Sequence, residues 1–143
     1  MTHDKDNTTF TYIDLPSDVV GLLTEKSVGC IAETGADINI LQRVFQWQFD
    51  SDKTSKKFSF CLFKNVGLID DTGKFDESQI ISSLYRNSNK KEEIAKIAKE
   101  CNSKDIKKPL NKMHEGIQCF FKNTPDIFVT TARKSTHLAI LSN

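Results

Sequence analysis

Apolar residues recur at intervals of three and four along most of this chain, which is the spacing of the buried face of an α-helix. Pro16 suits the first turn of a helix, and apolar residues at helical spacing follow it as far as Gly35, which can end the helix. Asp37 can cap a second helix, in which apolar residues recur up to about Gln48. The pattern therefore predicts a first helix from near residue 15 and a second helix directly after it.

The segment from Thr54 to Val66, TSKKFSFCLFKNV, predicts a third helix, which Gly67 can end. Its large apolar residues leave no polar face, so this helix is buried on most sides. These residues are Phe58, Phe60, Leu62 and Phe63. Such a helix either belongs to a solid core or lines a space that the core encloses.

Three further helices are predicted in the second half of the chain. Asp76 with Gln79 has the pattern of a capping box at the start of the fourth helix, and Asn89 with Glu92 has it at the start of the fifth. The sixth helix follows the sequence DIKKP, and Pro125 interrupts or ends it. No segment shows the sustained alternation that is typical of strands. The sequence therefore predicts an all-α fold.

A chain of 143 residues is long enough for one domain with a substantial core. We expect a single domain, 1–143, with a flexible N-terminus at 1–14, six helices within 15–128 and a C-terminal tail at 129–143. The net charge is +1, with basic and acidic residues interleaved, which argues against nucleic acid as a partner. No nucleophile–base pair, phosphate loop or metal-ligand spacing stands out, so we expect no enzyme, cofactor or metal.

The chain contains four cysteines, Cys30, Cys61, Cys101 and Cys119. Their number and spacing suit two disulfide bonds, with three connectivities, although four buried free thiols are an equal alternative from the count alone. Cys101 and Cys119 lie on two predicted helices that are neighbours and antiparallel, so a disulfide bond between them forms easily. Cys30 and Cys61 would then form the other disulfide bond.

The sequences around the cysteines resemble the insect odorant- and pheromone-binding proteins. The resemblance covers about residues 15–128 and is carried by CIAETGAD, FSFCLFKNVGLIDDTGKFD, AKECNSKD and HEGIQCFFKNTPDIF. That family has six cysteines, with three residues between the second and third and eight between the fifth and sixth. The corresponding positions here are occupied by Lys57 and Leu110. The chain is therefore similar to the four-cysteine, or minus-C, type.

The resemblance implies six helices around an internal apolar cavity, with Cys30 bonded to Cys61 and Cys101 bonded to Cys119. The absent bridge would join the third helix to the sixth. We therefore expect these two helices to separate more easily than the others, so that the cavity adapts to its contents. The tail after residue 128 either covers or enters the cavity or is solvated.

Fourteen residues are candidates for the cavity wall, although any one of them can be plain core instead. They are Leu23, Phe45, Ser59, Phe63, Leu68, Ile69, Phe75, Leu84, Tyr85, Ile94, Ala98, Met113, Ile117 and Phe120. Five of them, Leu23, Ser59, Phe63, Leu68 and Phe120, match family ligand-contact positions by counting from the cysteines. Ser59 and Tyr85 are the candidates for hydrogen bonding to a hydroxyl or carbonyl group of a ligand.

The function that the resemblance implies is a secreted carrier of small hydrophobic molecules such as odorants or pheromones. Its partners would be these ligands and, downstream, a membrane odorant receptor, with the carrier as a monomer or weak homodimer. The signal peptide is expected to lie outside this sequence. The alternatives are a carrier of non-olfactory ligands with the same fold, and a helical interaction protein with a solid core and no small-molecule ligand.

Overall fold

Six helices make up more than half of the described part of the chain, and they confirm the predicted all-α fold. The structure, a computed structural model, describes the backbone of residues 11–124 and 126–130 and the side chains of residues 14–124. The helices are α1 Ser17–Thr34, α2 Ile40–Phe45, α3 Lys53–Asn65, α4 Glu77–Gln79, α5 Lys91–Asn102 and α6 Pro109–Asn123. Helix α4 continues without a break into a π-helical turn, Ile80–Leu84. Residues 1–10 and the predicted tail beyond residue 130 lie outside the described residues.

Local signals account for several helix ends. Gly35 ends α1 with a left-handed backbone, φ 76°, which a glycine adopts at little cost. At the start of α4, the Asp76 carboxylate accepts a hydrogen bond from the Gln79 N–H at 3.0 Å, as the sequence predicts. The predicted capping box at Asn89 is wrong, because α5 begins at Lys91 and no side chain of its N-cap residue, Lys90, caps the helix.

A short pair of strands is the main departure from the predicted elements. Strand β1, Thr11–Leu15, pairs in parallel with strand β2, Asp126–Thr130, and Thr11 lies opposite Asp126. The sequence predicts a flexible N-terminus at 1–14 and an interruption or end of the sixth helix at Pro125. Helix α6 ends at Asn123 because Thr124 precedes Pro125 and has an extended backbone, ψ 136°, as residues before proline prefer. The partner of each strand is more than a hundred residues away, so local patterning does not reveal the pair.

The two disulfide bonds join helices in pairs. Cys30 is bonded to Cys61, which fastens α1 to α3, and Cys101 is bonded to Cys119, which fastens α5 to α6. This is the pairing that the sequence analysis expects, and the described part of the chain contains no free cysteine. No described helix is long and apolar enough to cross a membrane.

The interior is filled from every long helix. Its largest fully buried side chains include Phe58 and Leu62 from α3, Ile94 from α5 and Met113 from α6. Phe58 and Leu62 are four residues apart, so they lie on the same face of α3 and both reach the interior. Phe60, on another face, is only partly buried. The third helix therefore supplies both the packed core and, through Phe63, the wall of the cavity described next.

Candidate ligand-binding cavity

An apolar cavity lies among the helices. It has a volume of about 70 Å³, and the empty space in and in front of it, including solvent, is about 720 Å³. Almost no polar atom of its wall faces the cavity. The described residues that line it are Leu23, Val44, Phe45, Trp47, Phe49, Phe63, Leu68, Phe75, Ile80, Leu84, Ala98, Cys101, Asn102, Gly116, Ile117 and Phe120.

Nine of the fourteen candidate residues border this cavity. They are Leu23, Phe45, Phe63, Leu68, Phe75, Leu84, Ala98, Ile117 and Phe120. The other five, Ser59, Ile69, Tyr85, Ile94 and Met113, are buried but do not border it. The structure therefore places both candidates for ligand hydrogen bonding, Ser59 and Tyr85, outside the wall. Tyr85 lies directly behind the wall, with its ring against that of Phe120 at a centroid distance of 5.6 Å.

An aromatic segment after α2 supplies wall residues that the sequence analysis missed. Helix α2 ends at Phe45, and Trp47 has a left-handed backbone, φ 62°, so the predicted extension of the helix to Gln48 is wrong. Phe45, Trp47 and Phe49 all line the cavity. The alternation of rings and glutamines in FQWQF is a signal that could have revealed them, because alternate residues of a non-helical chain point the same way.

Four rings of the described wall, from Trp47 to Phe75, form a continuous series. Trp47 stacks on Phe121 at 4.8 Å between centroids and meets Phe49 at 6.3 Å, and Phe49 lies 6.0 Å from Phe63. Phe63 in turn lies 6.4 Å from Phe75. These separations are within the range in which aromatic rings attract each other. The series joins the segment after α2, helix α3 and the loop before α4 in one aromatic surface.

The side chain of Asn102 fixes the loop that carries Phe75. The Asn102 Oδ1 atom accepts a hydrogen bond from the Phe75 N–H at 2.9 Å, and its Nδ2 donates to the Phe75 carbonyl at 2.7 Å. Nδ2 also lies 3.3 Å from a carboxylate oxygen of Glu77. Both the oxygen and the nitrogen of the Asn102 amide are therefore hydrogen-bonded within the protein. Nothing in the sequence around Asn102 indicates this role, because its partner is 27 residues away.

Two glycines allow the same loop to approach α6. A Cβ atom on Gly116, in α6, would lie 3.0 Å from the ring of Phe75, which is closer than side chains normally pack. Gly73 has a φ of 86°, and a Cβ there would collide with the Pro109 carbonyl. A glycine inside a helix destabilises it, so its presence there usually has a packing reason. Gly116 was therefore a sequence signal that another segment packs closely against α6.

Helix α6 carries a buried histidine that does not border the cavity. His114, on α6, is buried, and burial, assisted by the charge of Lys56, lowers its pKa, while Glu115 acts in the opposite direction. Neither His114 nor Lys56 borders the cavity. Within the described ranges, no three His, Cys, Asp or Glu side chains are grouped closely enough to hold a metal ion. The wall therefore offers a ligand apolar contacts.

The chain is similar to known proteins over most of the helical region. The PBP/GOBP family model matches residues 16–123. The B1 protein of Tenebrio molitor is 25% identical over 107 residues, which are 75% of this chain and 82% of that protein. The B2 protein of the same organism is 25% identical over 114 residues, which are 80% and 88% of the two chains.

A solved structure shows the same arrangement. The odorant-binding protein dmelOBP28a from Drosophila melanogaster superposes with a TM-score of 0.62 at 25% sequence identity, covering 72% of this chain and 89% of that one. The family match spans more than half of the chain, and the four cysteines form the two disulfide bonds of the minus-C type. This protein therefore belongs to the PBP/GOBP family.

Proposed function

We propose that this protein is a secreted carrier that takes up small hydrophobic molecules, such as odorants or pheromones, in the cavity between its helices. The observation that carries the proposal is the wall itself, which is lined by six aromatic side chains and exposes almost no polar atom. Membership of the PBP/GOBP family and the likeness to an odorant-binding protein support it. On this proposal the protein acts as a monomer or weak homodimer and releases its ligand to a membrane receptor.

The driving force would be the removal of apolar ligand surface from water. Each square ångström contributes about 25 cal/mol, so a ligand that loses ~300 Å² gains roughly 7 kcal/mol before the entropy cost of binding. That range corresponds to roughly micromolar affinity.

Displacement of an apolar fluorescent probe tests the proposal. The oxidised, delipidated protein should take up N-phenyl-1-naphthylamine saturably, and a panel of volatile esters, aldehydes and terpenes should compete. Trp47 is the only tryptophan and borders the cavity, so its emission should change with the same midpoints. No uptake of the probe and no response of Trp47 to any ligand would overturn the proposal.

A matched pair of variants tests whether the ligand is inside. Ala98→Leu fills the cavity from α5, whereas Ala95→Leu adds the same volume to the same helix at a partly buried position that does not border the cavity. We expect Ala98→Leu to weaken probe binding at least tenfold and Ala95→Leu to leave it within about twofold, because only the first replaces ligand volume. Equal effects would place the probe on the surface and contradict a carrier role.

A further inference from the structure

We propose that the cavity selects hydrocarbons over ligands of the same skeleton that carry a hydroxyl group, an inference that rests on the proposed carrier function. It concerns the class of ligand and not the presence of the site. The described wall combines an aromatic surface with a near absence of exposed polar atoms.

The single amide in the described wall is already occupied. Both Asn102 hydrogen-bonding atoms face the Phe75 backbone, at 2.9 Å and 2.7 Å, and its amino group also meets Glu77. A ligand hydroxyl that took one of these bonds would release the loop that holds Phe75 in the wall. The cost of that exchange cancels the gain from the new hydrogen bond.

The hydroxyl-bearing side chains near the site do not face it. Ser59 is buried on α3 and Tyr85 follows the π-helical turn, and neither borders the cavity. The ring of Phe120 borders the cavity and meets the ring of Tyr85 in a T-shaped contact at 5.6 Å. Tyr85 is therefore packed against the wall and does not form part of it.

The cost of burying an unsatisfied hydroxyl group sets the expected selectivity. In proteins a hydroxyl that leaves water without a new partner loses enough free energy to weaken binding about 10- to 100-fold. A hydrocarbon of the same skeleton has no such group to desolvate. Dispersion contacts with the aromatic series from Trp47 to Phe75 are available to both ligands, so the hydroxyl group alone sets the difference in affinity.

The test compares p-cymene with 4-isopropylbenzyl alcohol, which has the same skeleton with one added oxygen. The full oxidised chain is titrated with each compound over the same range of free concentrations. The Kd of each compound is obtained from Trp47 emission and from displacement of N-phenyl-1-naphthylamine. We expect p-cymene to bind about 10- to 100-fold more tightly. Dissociation constants within threefold, or tighter binding of the alcohol, would overturn the inference and leave the carrier function standing. If neither compound nor any other ligand binds, the proposed carrier function is itself wrong.

Two serine variants sharpen the same test. Ala98→Ser places a hydroxyl on the wall with little change of volume, and Ala95→Ser is its control on the same helix away from the cavity. We expect Ala98→Ser to reduce the ratio of the two dissociation constants, alcohol to p-cymene, at least threefold, and Ala95→Ser to leave this ratio unchanged. Tyr85→Phe should also leave the ratio unchanged. If Tyr85→Phe instead weakens the alcohol alone, the ligand reaches behind the wall and the inference is wrong.

Discussion

The helix pairs of this protein are held in two different ways. Covalent bonds fasten α1 to α3 and α5 to α6, through Cys30–Cys61 and Cys101–Cys119. The contact between α3 and α6 has no such bond. There, Lys56 Nζ donates a hydrogen bond to Asn111 Oδ1 at 3.1 Å, and both residues lie near the surface. The positions at which related proteins carry the third bridge hold the exposed Lys57 and the partly buried Leu110.

This difference bears on the cavity because both unbridged helices form its wall. Phe63 comes from α3, while Gly116, Ile117 and Phe120 come from α6. The disulfide bonds thus create two covalent units, α1 with α3 and α5 with α6, and the cavity lies between them. Any ligand too large for the space now open would be accommodated most easily by separating these units. We therefore expect the absence of this bridge to lower the stability of the protein and to leave the cavity adjustable.

The largest effect is expected from breaking a covalent unit. The double variant Cys30→Ala/Cys61→Ala opens a loop of 31 residues, and the chain-entropy model gives a loss of about 4 kcal/mol in the free energy of unfolding. The matched variant Cys101→Ala/Cys119→Ala opens a loop of 18 residues and should lose about 3 kcal/mol. Urea unfolding under oxidising conditions measures both. A loss below ~1 kcal/mol in either case would mean that packing alone holds the units together.

A somewhat smaller effect is expected from closing the open junction. The variant Lys57→Cys/Leu110→Cys should form a third disulfide bond, detected by mass spectrometry, and gain roughly 2–4 kcal/mol. It should also bind bulky ligands more weakly than the wild type while p-cymene is little affected, since α3 and α6 can no longer separate. Lys57→Ala/Leu110→Ala is the unbridged control.

Hydrogen exchange gives the same comparison in the unmodified protein. Amides at the interface of α3 and α6 should open at lower free energy than those between α1 and α3. The third bridge should raise the protection of both helices. Equal protection across all these helices before the bridge is added would contradict the idea of an adjustable junction.

The smallest effect is expected from pH, through His114. Burial and the nearby charge of Lys56 lower the pKa of His114 in the folded protein, so the unfolded chain binds this proton more readily. The stability linked to His114 is therefore complete above its ordinary pKa of about 6.5 and is lost as the pH falls through that value. His114→Gln should reduce the fall in Tm between pH 7 and pH 5 by a few degrees. Lys56→Met should reduce it less, and an unchanged fall in both variants would exclude His114 as the cause.

Much of the fold could be predicted because its signals are local. The buried sides of α3, α5 and α6 follow from the spacing of apolar residues, and Gly35 and Asp76 end and begin helices through bonds within a few residues. The candidate wall was partly predictable for the same reason, since helix faces that must be buried supply most of it. Five candidates do not border the cavity, because a helix face shows that a residue is buried but not what it is buried against.

The parts that could not be predicted depend on distant partners. The strands β1 and β2 meet only after six helices have brought the two ends of the chain together. The left-handed backbone of Trp47 and the π-helical turn at Ile80–Leu84 both depart from the helical periodicity that the sequence displays. The hydrogen bonds of Asn102 to the backbone of Phe75 also could not be predicted, because the two residues are 27 positions apart.

The sequence by itself determined most of the helices and the apolar character of the interior, since these follow from spacing, capping and residue type, and its resemblance to a known family implied the pairing of the cysteines. Only the tertiary structure decided which of the buried residues face empty space. Whether a buried ring fills the core or lines a cavity depends on the fit between elements, as Gly116 against Phe75 illustrates. That fit arises from close packing, in which a single carbon atom changes the outcome.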